Sequence, residues 1–299
     1  MTPVAGAAWA AAEAFREAGY ESFSVAGSRY NDGRVMPRHE DWPPGPREIE
    51  MIRNADVIFC HQGHPYKFDW YPKHKPTVFW YHSQPLHMWR HGEKEGWPWC
   101  VEGQYQTRLY PGSIPVPNLF PLRHPWYQPQ PKPDRVQIVY SPSNSTLAGY
   151  DDKGYSGTIA ALQGLDADVH VLTGVSLEQC LAAKAKAHIV IDECVTGSYH
   201  RNSLEGLALG CVVVNNCDGL CEQNIRDMTG GAGLPFVRSN IGDLSTTLRR
   251  LVEMGPSSVA HMGYRNREWM EGVWNPAEMI ERNLKPLMDE AVHHAMSLR

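Results

Sequence analysis

Between residues 136 and 217, short runs of β-branched residues alternate with segments of helical period. Strands are expected at 136–140, 168–172, 187–191 and 211–214, and helices at 153–163, 176–186 and 202–210. This alternation permits few folds. Short apolar strands separated by crossover helices build a parallel sheet covered by helices. Polar clusters follow the strand ends: Ser141-Pro-Ser-Asn-Ser, Thr173-Gly174, and the run from Gly197 to Ser203. Open α/β sheets bind ligands outside the carboxyl ends of their strands. The clusters therefore mark one sheet edge as a site for a polar, phosphorylated ligand.

Elsewhere the alternation is less regular. Helices are expected at 4–18, 45–54, 241–254 and 257–271, and strands at 22–26, 56–60, 77–81 and 113–116. Trp274-Asn-Pro then opens a last helix, from Ala277 to about Met296. At 299 residues the chain is long enough for two domains. Composition changes near residue 134: residues 60–135 hold six of the ten Trp and seven of the fourteen His. Pro121, Pro125, Pro129, Pro131 and Pro133 form a stiff connection there. The expected division is 1–133, 134–274 and a C-terminal helix at 275–299.

Several function classes are disfavoured. A formal charge of −5 argues against a strongly basic, non-specific nucleic-acid binder. No apolar run reaches transmembrane length, and the Ala-rich start lacks the basic region of a signal peptide. The seven cysteines are spread out, as expected of reduced, buried thiols in a cytoplasmic protein. Cys211, Cys217 and Cys221 match no zinc spacing, and His61 with His64 lacks nearby acids, so no metal is expected. An NAD-dependent oxidoreductase is disfavoured because no G-x-G-x-x-G follows a strand.

The segment from His188 to Val214 runs through an apolar strand, Asp192-Glu193, the Gly197–Ser203 loop, Glu205 early in a helix, then Ala208-Leu-Gly and a second apolar strand. Upstream stand Tyr140-Ser-Pro-Ser-Asn and Asp152-Lys-Gly-Tyr-Ser-Gly-Thr. Together, over about eighty residues, these resemble the donor-binding region of retaining glycosyltransferases with the GT-B fold, family 4-like. The resemblance implies an α/β protein of two Rossmann-like domains facing a cleft. Its last helix would cross back onto the N-terminal domain. By the same resemblance that domain would be shortened or lack its first strand, since such domains open on a strand and this sequence reads first as a helix. The implied activity is sugar transfer, with retention, from a nucleotide-diphosphate sugar (a UDP-sugar foremost) to a hydroxyl. The nucleotide sugar is a substrate, and no cofactor is implied.

The resemblance assigns roles residue by residue. Glu205 would accept two hydrogen bonds from the ribose diol, as a carboxylate can. Read from spacing alone, it equally fits a helix cap in which Asn202-Ser-Leu-Glu forms a variant capping box. Gly197, Ser198, Tyr199, Arg201, Asn202 and Ser203 would meet the donor diphosphate, where a helix N-terminus favours anions. A plain solvated turn is the other reading. Lys153 would neutralise the leaving diphosphate as charge develops on it; otherwise it is a surface lysine opening a helix. Ser141, Ser143, Thr173, Gly174 and Gly6 would be weaker donor contacts. The family's first glutamate is replaced, since Gly197 stands eight residues before Glu205. Asp192 or Glu193 would then reach the sugar, or Asp192 merely ends the strand.

In the N-terminal half, His82 follows the strand 77–81. By resemblance it would face the acceptor and orient a hydroxyl; its ordinary reading is a strand-end histidine bonded to backbone. Residues 60–135 carry nine Lys/Arg against five Asp/Glu, interleaved with aromatics. Such a surface stacks on bases or on sugars, and such aromatics also serve as core. The acceptor classes left open are a modified nucleic-acid base in DNA, a glycan, and a small hydroxyl compound. Oligomeric state is not legible. The rival reading is a non-catalytic nucleotide- or sugar-binding protein on the same fold.

Overall fold

A computed structural model describes residues 7–26, 40–41, 43–62, 68–82, 96–142 and 154–298. The chain divides into two compact units. The first comprises Met1–Pro121 with Pro276–Arg299, and the second Leu122–Asn275.

The second unit is built on a five-stranded parallel sheet. Its strands are β7 (Gln137–Tyr140), β8 (Asp168–Val171), β9 (Ile189–Ile191), β10 (Val212–Asn215) and β11 (Val237–Arg238), in the order β11-β10-β9-β7-β8. β9 and β10 are buried along their whole length, as expected of central strands covered on both faces. Helices Tyr155–Leu162, Leu177–Lys186 and Arg201–Ala208 connect the first four strands. Ile138, Ile189, Ile191, Val212 and Val214 meet Leu244, Leu248 and Val259 in one core. Ser176 caps the helix Leu177–Lys186: its Oγ accepts from Gln179 N at 3.2 Å, and Gln179 Oε1 accepts from Ser176 N at 3.0 Å. The order reverses beside β7. The chain steps to β8 on one side, then returns to β9 on the other, leaving a crevice where the strand ends diverge.

The first unit carries a four-stranded parallel sheet in the order β3-β4-β5-β6. These strands are Ile58–His61, Thr77–Tyr81, Trp99–Glu102 and Ile114–Val116. All five residues of β4 are buried. Helix Ala7–Glu17 buries Trp9, Phe15 and five alanines. Val25–Ala26 and Glu40–Asp41, β1 and β2, pair in parallel with each other and, among the described residues, with no other strand. Pro276–Met279 packs on helix Ala7–Glu17, and Lys285–Ser297 packs on β4. Between them lies a π-helical turn, Ile280–Leu284, where the sequence suggests one unbroken helix. β5 and the helix Gly219–Thr229 are absent from the sequence reading. Among the described residues no helix is long and apolar enough to cross a membrane.

Candidate functional site

Because the five strands of the second sheet are parallel, the residues after them gather on one edge. Ser141 follows β7 and Asp192 follows β9, on either side of the crevice. A direct bond spans it: Ser141 Oγ donates to Asn202 Oδ1 at 2.9 Å. Asn202 also donates to Ile191 O at 3.0 Å. Asp192 Oδ2 accepts from His200 N at 2.7 Å and from Ser203 Oγ at 2.6 Å, tying the strand end to the start of helix Arg201–Ala208. Asn215 at the end of β10 donates to Ser203 Oγ at 2.9 Å. Ser141, Asp192, Asn202 and Ser203 thus form one network at the crevice.

Glu193 organises the loop that follows. Its Oε2 accepts from Val195 N and Thr196 N, and its Oε1 from Thr196 Oγ1 and Ser198 N, at 2.6–3.1 Å. Four donors fill the accepting sites of this buried carboxylate, so it holds the loop from behind. Gly197 takes φ +79°, and a side chain there would press on Asp218 at 2.8 Å. Tyr199 is fully buried against Phe236. The loop is a packed structure and not a solvated turn.

Glu205 does not make the capping contact that its spacing allowed. The helix begins at Arg201, with His200 as its N-cap residue. Glu205 therefore lies beyond the first turn and does not close a capping box. Its Oε2 accepts from Lys184 Nζ at 2.6 Å and its Oε1 from Arg201 Nε at 3.2 Å. Arg201 also donates to Tyr127 Oη at 2.9 Å. Lys184 is almost wholly buried. Burial alone would lower its ammonium, but Cys180 and Glu205 beside it outweigh burial and raise it. The Arg201 guanidinium is likewise raised against burial, by Tyr127 and Glu205. Lys184 was missed by sequence reasoning. The available signal was its place on the buried stripe of its helix with Leu181 and Ala185: a lysine there needs a partner.

Thr173 and Gly174 stand exposed after the edge strand β8 and join none of this network. Gly6, Ser143, Lys153 and His64 lie outside the described residues.

At the carboxyl edge of the first unit's sheet, His82 follows β4 and is held on every side. Its Nδ1 lies 2.5 Å from Glu102 Oε1, at the end of β5. Its Nε2 lies 2.7 Å from His61 Nδ1, at the end of β3. His82 N donates to Gln62 Oε1 at 2.8 Å. Gln62 has φ +47°, the only positive value of a non-glycine residue among those described. Such strain persists where the surroundings enforce it. His61 stacks on Trp80 with ring centroids 5.0 Å apart, and meets His82 edge to edge, the two imidazoles within 17° of parallel. Burial first, then the charge of His82, holds the His61 imidazole well below its ordinary range. Glu102 was not singled out in the sequence.

No protein-family model and no curated protein sequence matches the chain. Solved structures do. AviGT4, a glycosyltransferase involved in avilamycin A biosynthesis, superposes with a TM-score of 0.54 at 16% identity, covering 94% of this chain and 87% of its own. The chain has the GT-B fold. A glycosyltransferase from Rickettsia africae gives a TM-score of 0.52 at 12% identity, covering 96% of this chain and 94% of its own. TarM of S. aureus, solved with UDP and alpha-GlcNAc-glycerol, gives 0.53 at 12% identity; 80% of this chain matches 57% of that one. The GT-B architecture of parallel, Rossmann-like sheets expected from residues 136–217 is therefore established, while activity has to be argued from the residues at the strand ends.

Proposed function

We propose that this chain is a glycosyltransferase that takes its sugar from a nucleotide-diphosphate donor, a UDP-sugar foremost, and passes it to a hydroxyl acceptor with retention. The observation that carries this is the network at the crevice of the second sheet. Ser141, Asn202, Asp192 and Ser203 connect the ends of β7 and β9 to a helix N-terminus, and Glu205 stands one turn further on between Lys184 and Arg201. That is the place in an α/β sheet where nucleotides bind.

In this reading the donor diphosphate meets the helix N-terminus, Asn202, Ser203 and Ser141, with Gly197 and Ser198 shaping the approach. Arg201 and Lys184 bring two cations against the single carboxylate of Glu205, and the net positive charge that remains suits an anionic ligand nearby. The oxygens of Glu205 keep accepting capacity for a ribose diol. Lys153 neutralises the leaving diphosphate. The acceptor hydroxyl belongs to the first unit, near His82. The UDP bound by TarM supports uridine as the base.

A thermal-shift screen across nucleotide sugars tests the reading. A ligand at a hundred times its dissociation constant stabilises by about 2.7 kcal/mol. The donor that binds should also be hydrolysed slowly to free sugar, and the anomeric configuration of the first-formed product reads out retention. Stabilisation by a nucleotide sugar without any turnover would favour a binding protein on the same fold. No shift with any of them would defeat both readings.

A further inference from the structure

The first unit holds two sheets that do not meet. β1 pairs with β2 and β3 with β4, and no strand among the described residues joins β1 to β3. The hydrogen bonds show which edges are left. In a parallel ladder, successive residues of a strand bond to alternate sides. Ile58 N donates to Pro76 O at 2.8 Å and Gln62 N to Trp80 O at 2.9 Å, so Val57, Phe59 and His61 turn their backbone groups away from β4. Likewise Glu40 N donates to Ser24 O at 3.0 Å, so Phe23 and Val25 turn theirs away from β2. All five of these residues line one cavity of about 760 Å³.

The cavity has the size of one strand. With a rise of about 3.3 Å per residue, about 4.8 Å between strands and about 10 Å between packed layers, a covered strand fills roughly 160 Å³ per residue. About five residues therefore fit, which is an ordinary strand length. The covering is already in place. Helix Ala7–Glu17 lines the cavity with Ala7, Ala8, Ala11 and Ala12, and helix Pro46–Asn54 with Met51 and Ile52. The latter helix buries none of its residues, and Ile58 and Phe59 are only half-buried, whereas β9 and β10 of the second sheet are buried throughout. A small apolar molecule would leave two rows of backbone groups without hydrogen bonds, at a cost that a strand between them removes on both sides.

We propose that this cavity is the seat of one further parallel strand: an extended, apolar segment of about five residues, attached ahead of Met1 and leading through helix Ala7–Glu17 to β1. Topology selects this occupant. A strand in the slot, the helix Ala7–Glu17 and β1 make one βαβ unit, in which neighbouring parallel strands are joined by a helix packed on them. Residues 1–6 cannot supply the strand, because Pro3 and Gly6 leave no run of about five residues suited to a central ladder. The segment is apolar on both faces, as a parallel strand between covering helices is. It bonds to Phe23 and Val25 on one side and to Val57, Phe59 and His61 on the other. The two sheets of the first unit then become one, in the order β2-β1-strand-β3-β4-β5-β6. The inference goes beyond the glycosyltransferase reading and does not depend on it.

Amide hydrogen exchange of the full chain tests the slot without any variant. The amides of Phe59 and His61 should exchange fast, and those of Ile58 and Gln62, which bond to the β4 side, slowly. The sequence Lys-Val-Val-Ile-Leu-Val placed ahead of Met1 should then raise the thermal midpoint. It should also slow exchange at Phe59 and His61 by about a hundredfold or more, as a closed ladder does. The version Lys-Val-Pro-Ile-Pro-Val, whose prolines cannot donate, should do neither. Ala12→Trp, which fills the cavity, should cancel the gain from the extension. Slow exchange at Phe59 and His61 in the unextended chain would overturn the proposal. So would an extension that leaves these amides unchanged, or equal protection by the proline version. None of these readouts involves a nucleotide sugar, so they decide the slot whether or not one binds.

Discussion

Lys184 Nζ and Glu205 Oε2 meet at 2.6 Å with both side chains buried, joining two helices of the second unit. Removing one partner of a buried pair strands the other charge away from water, at a cost of about 3–5 kcal/mol. Glu205→Ala should therefore lower the unfolding midpoint severely, well beyond the loss of a helix cap. Glu205→Gln, which can still accept from Lys184, should fold better yet bind nucleotide sugar more weakly. Full donor affinity in folded Glu205→Gln would remove Glu205 from the donor site.

Gly263 lies against the backbone of Gly210, and a Cβ at Gly263 would overlap the Gly210 carbonyl. Backbone cannot swing away as a side chain can. Gly263→Ala should cost about 3 kcal/mol or more, from forced separation of the helix Pro256–Val273 from the turn after Arg201–Ala208. Calorimetry of the pure variant checks this. A neutral effect would mean that the two segments are not in this contact.

Gly197→Ala should act at two places. Its left-handed φ penalises any side chain by about 1–2 kcal/mol. The new Cβ would also press on Asp218, whose Oδ1 accepts from Leu220 N and Cys221 N at the start of helix Gly219–Thr229. Losing that cap costs about 0.5–2 kcal/mol more. Denaturant titration of Gly197→Ala beside Asp218→Ala should show the two effects overlapping and not adding.

Stability should fall as the solution is acidified below pH about 6.5, the ordinary histidine value. Burial lowers the imidazoles of His61 and His188 in the folded chain, the latter also through Lys132. Gln137 N donates to His188 Nδ1 at 3.1 Å, which needs a lone pair there. Between the depressed folded value and the unfolded one, the unfolded chain binds the extra proton. Stability is then complete above the unfolded value and lost below it, at about 1.4 kcal/mol per pH unit for each such histidine. Urea midpoints at pH 7.5 and 5.5, in wild type and His188→Asn, measure the slope. The variant should show the shallower one.

The second unit was legible because its strands are buried on both faces and read as unbroken apolar runs; β9 and β10 fall within two residues of expectation. β5 was not, since Trp99-Cys-Val-Glu is four residues long and ends in a carboxylate. The crevice residues Ser141, Asn202 and Asp192 were visible as polar clusters after strands. Their bonding was not, because a hydrogen bond between Ser141 and Asn202 joins residues 61 apart in the chain. The pairing of Lys184 with Glu205 was hidden for the same reason, and the last turn of a helix is also where a lysine ordinarily faces water and the dipole. At the first sheet both histidines followed recognisable strands, yet only the parallel register of β3, β4 and β5 sets His61 opposite Trp80, two residues before His82, and continues past Tyr81 and Val101 to bring His82 beside Glu102.

The first unit is discontinuous in the chain, and this sets an order of events during synthesis. Residues 122–275 can close their sheet as soon as they have emerged, because everything they need is contiguous. β4 emerges earlier but must wait for the helix Lys285–Ser297 that covers it. Domains ordinarily fold in the order in which they are made. Here the earlier-made sheet is completed last, and until then its apolar face is a natural client for a chaperone.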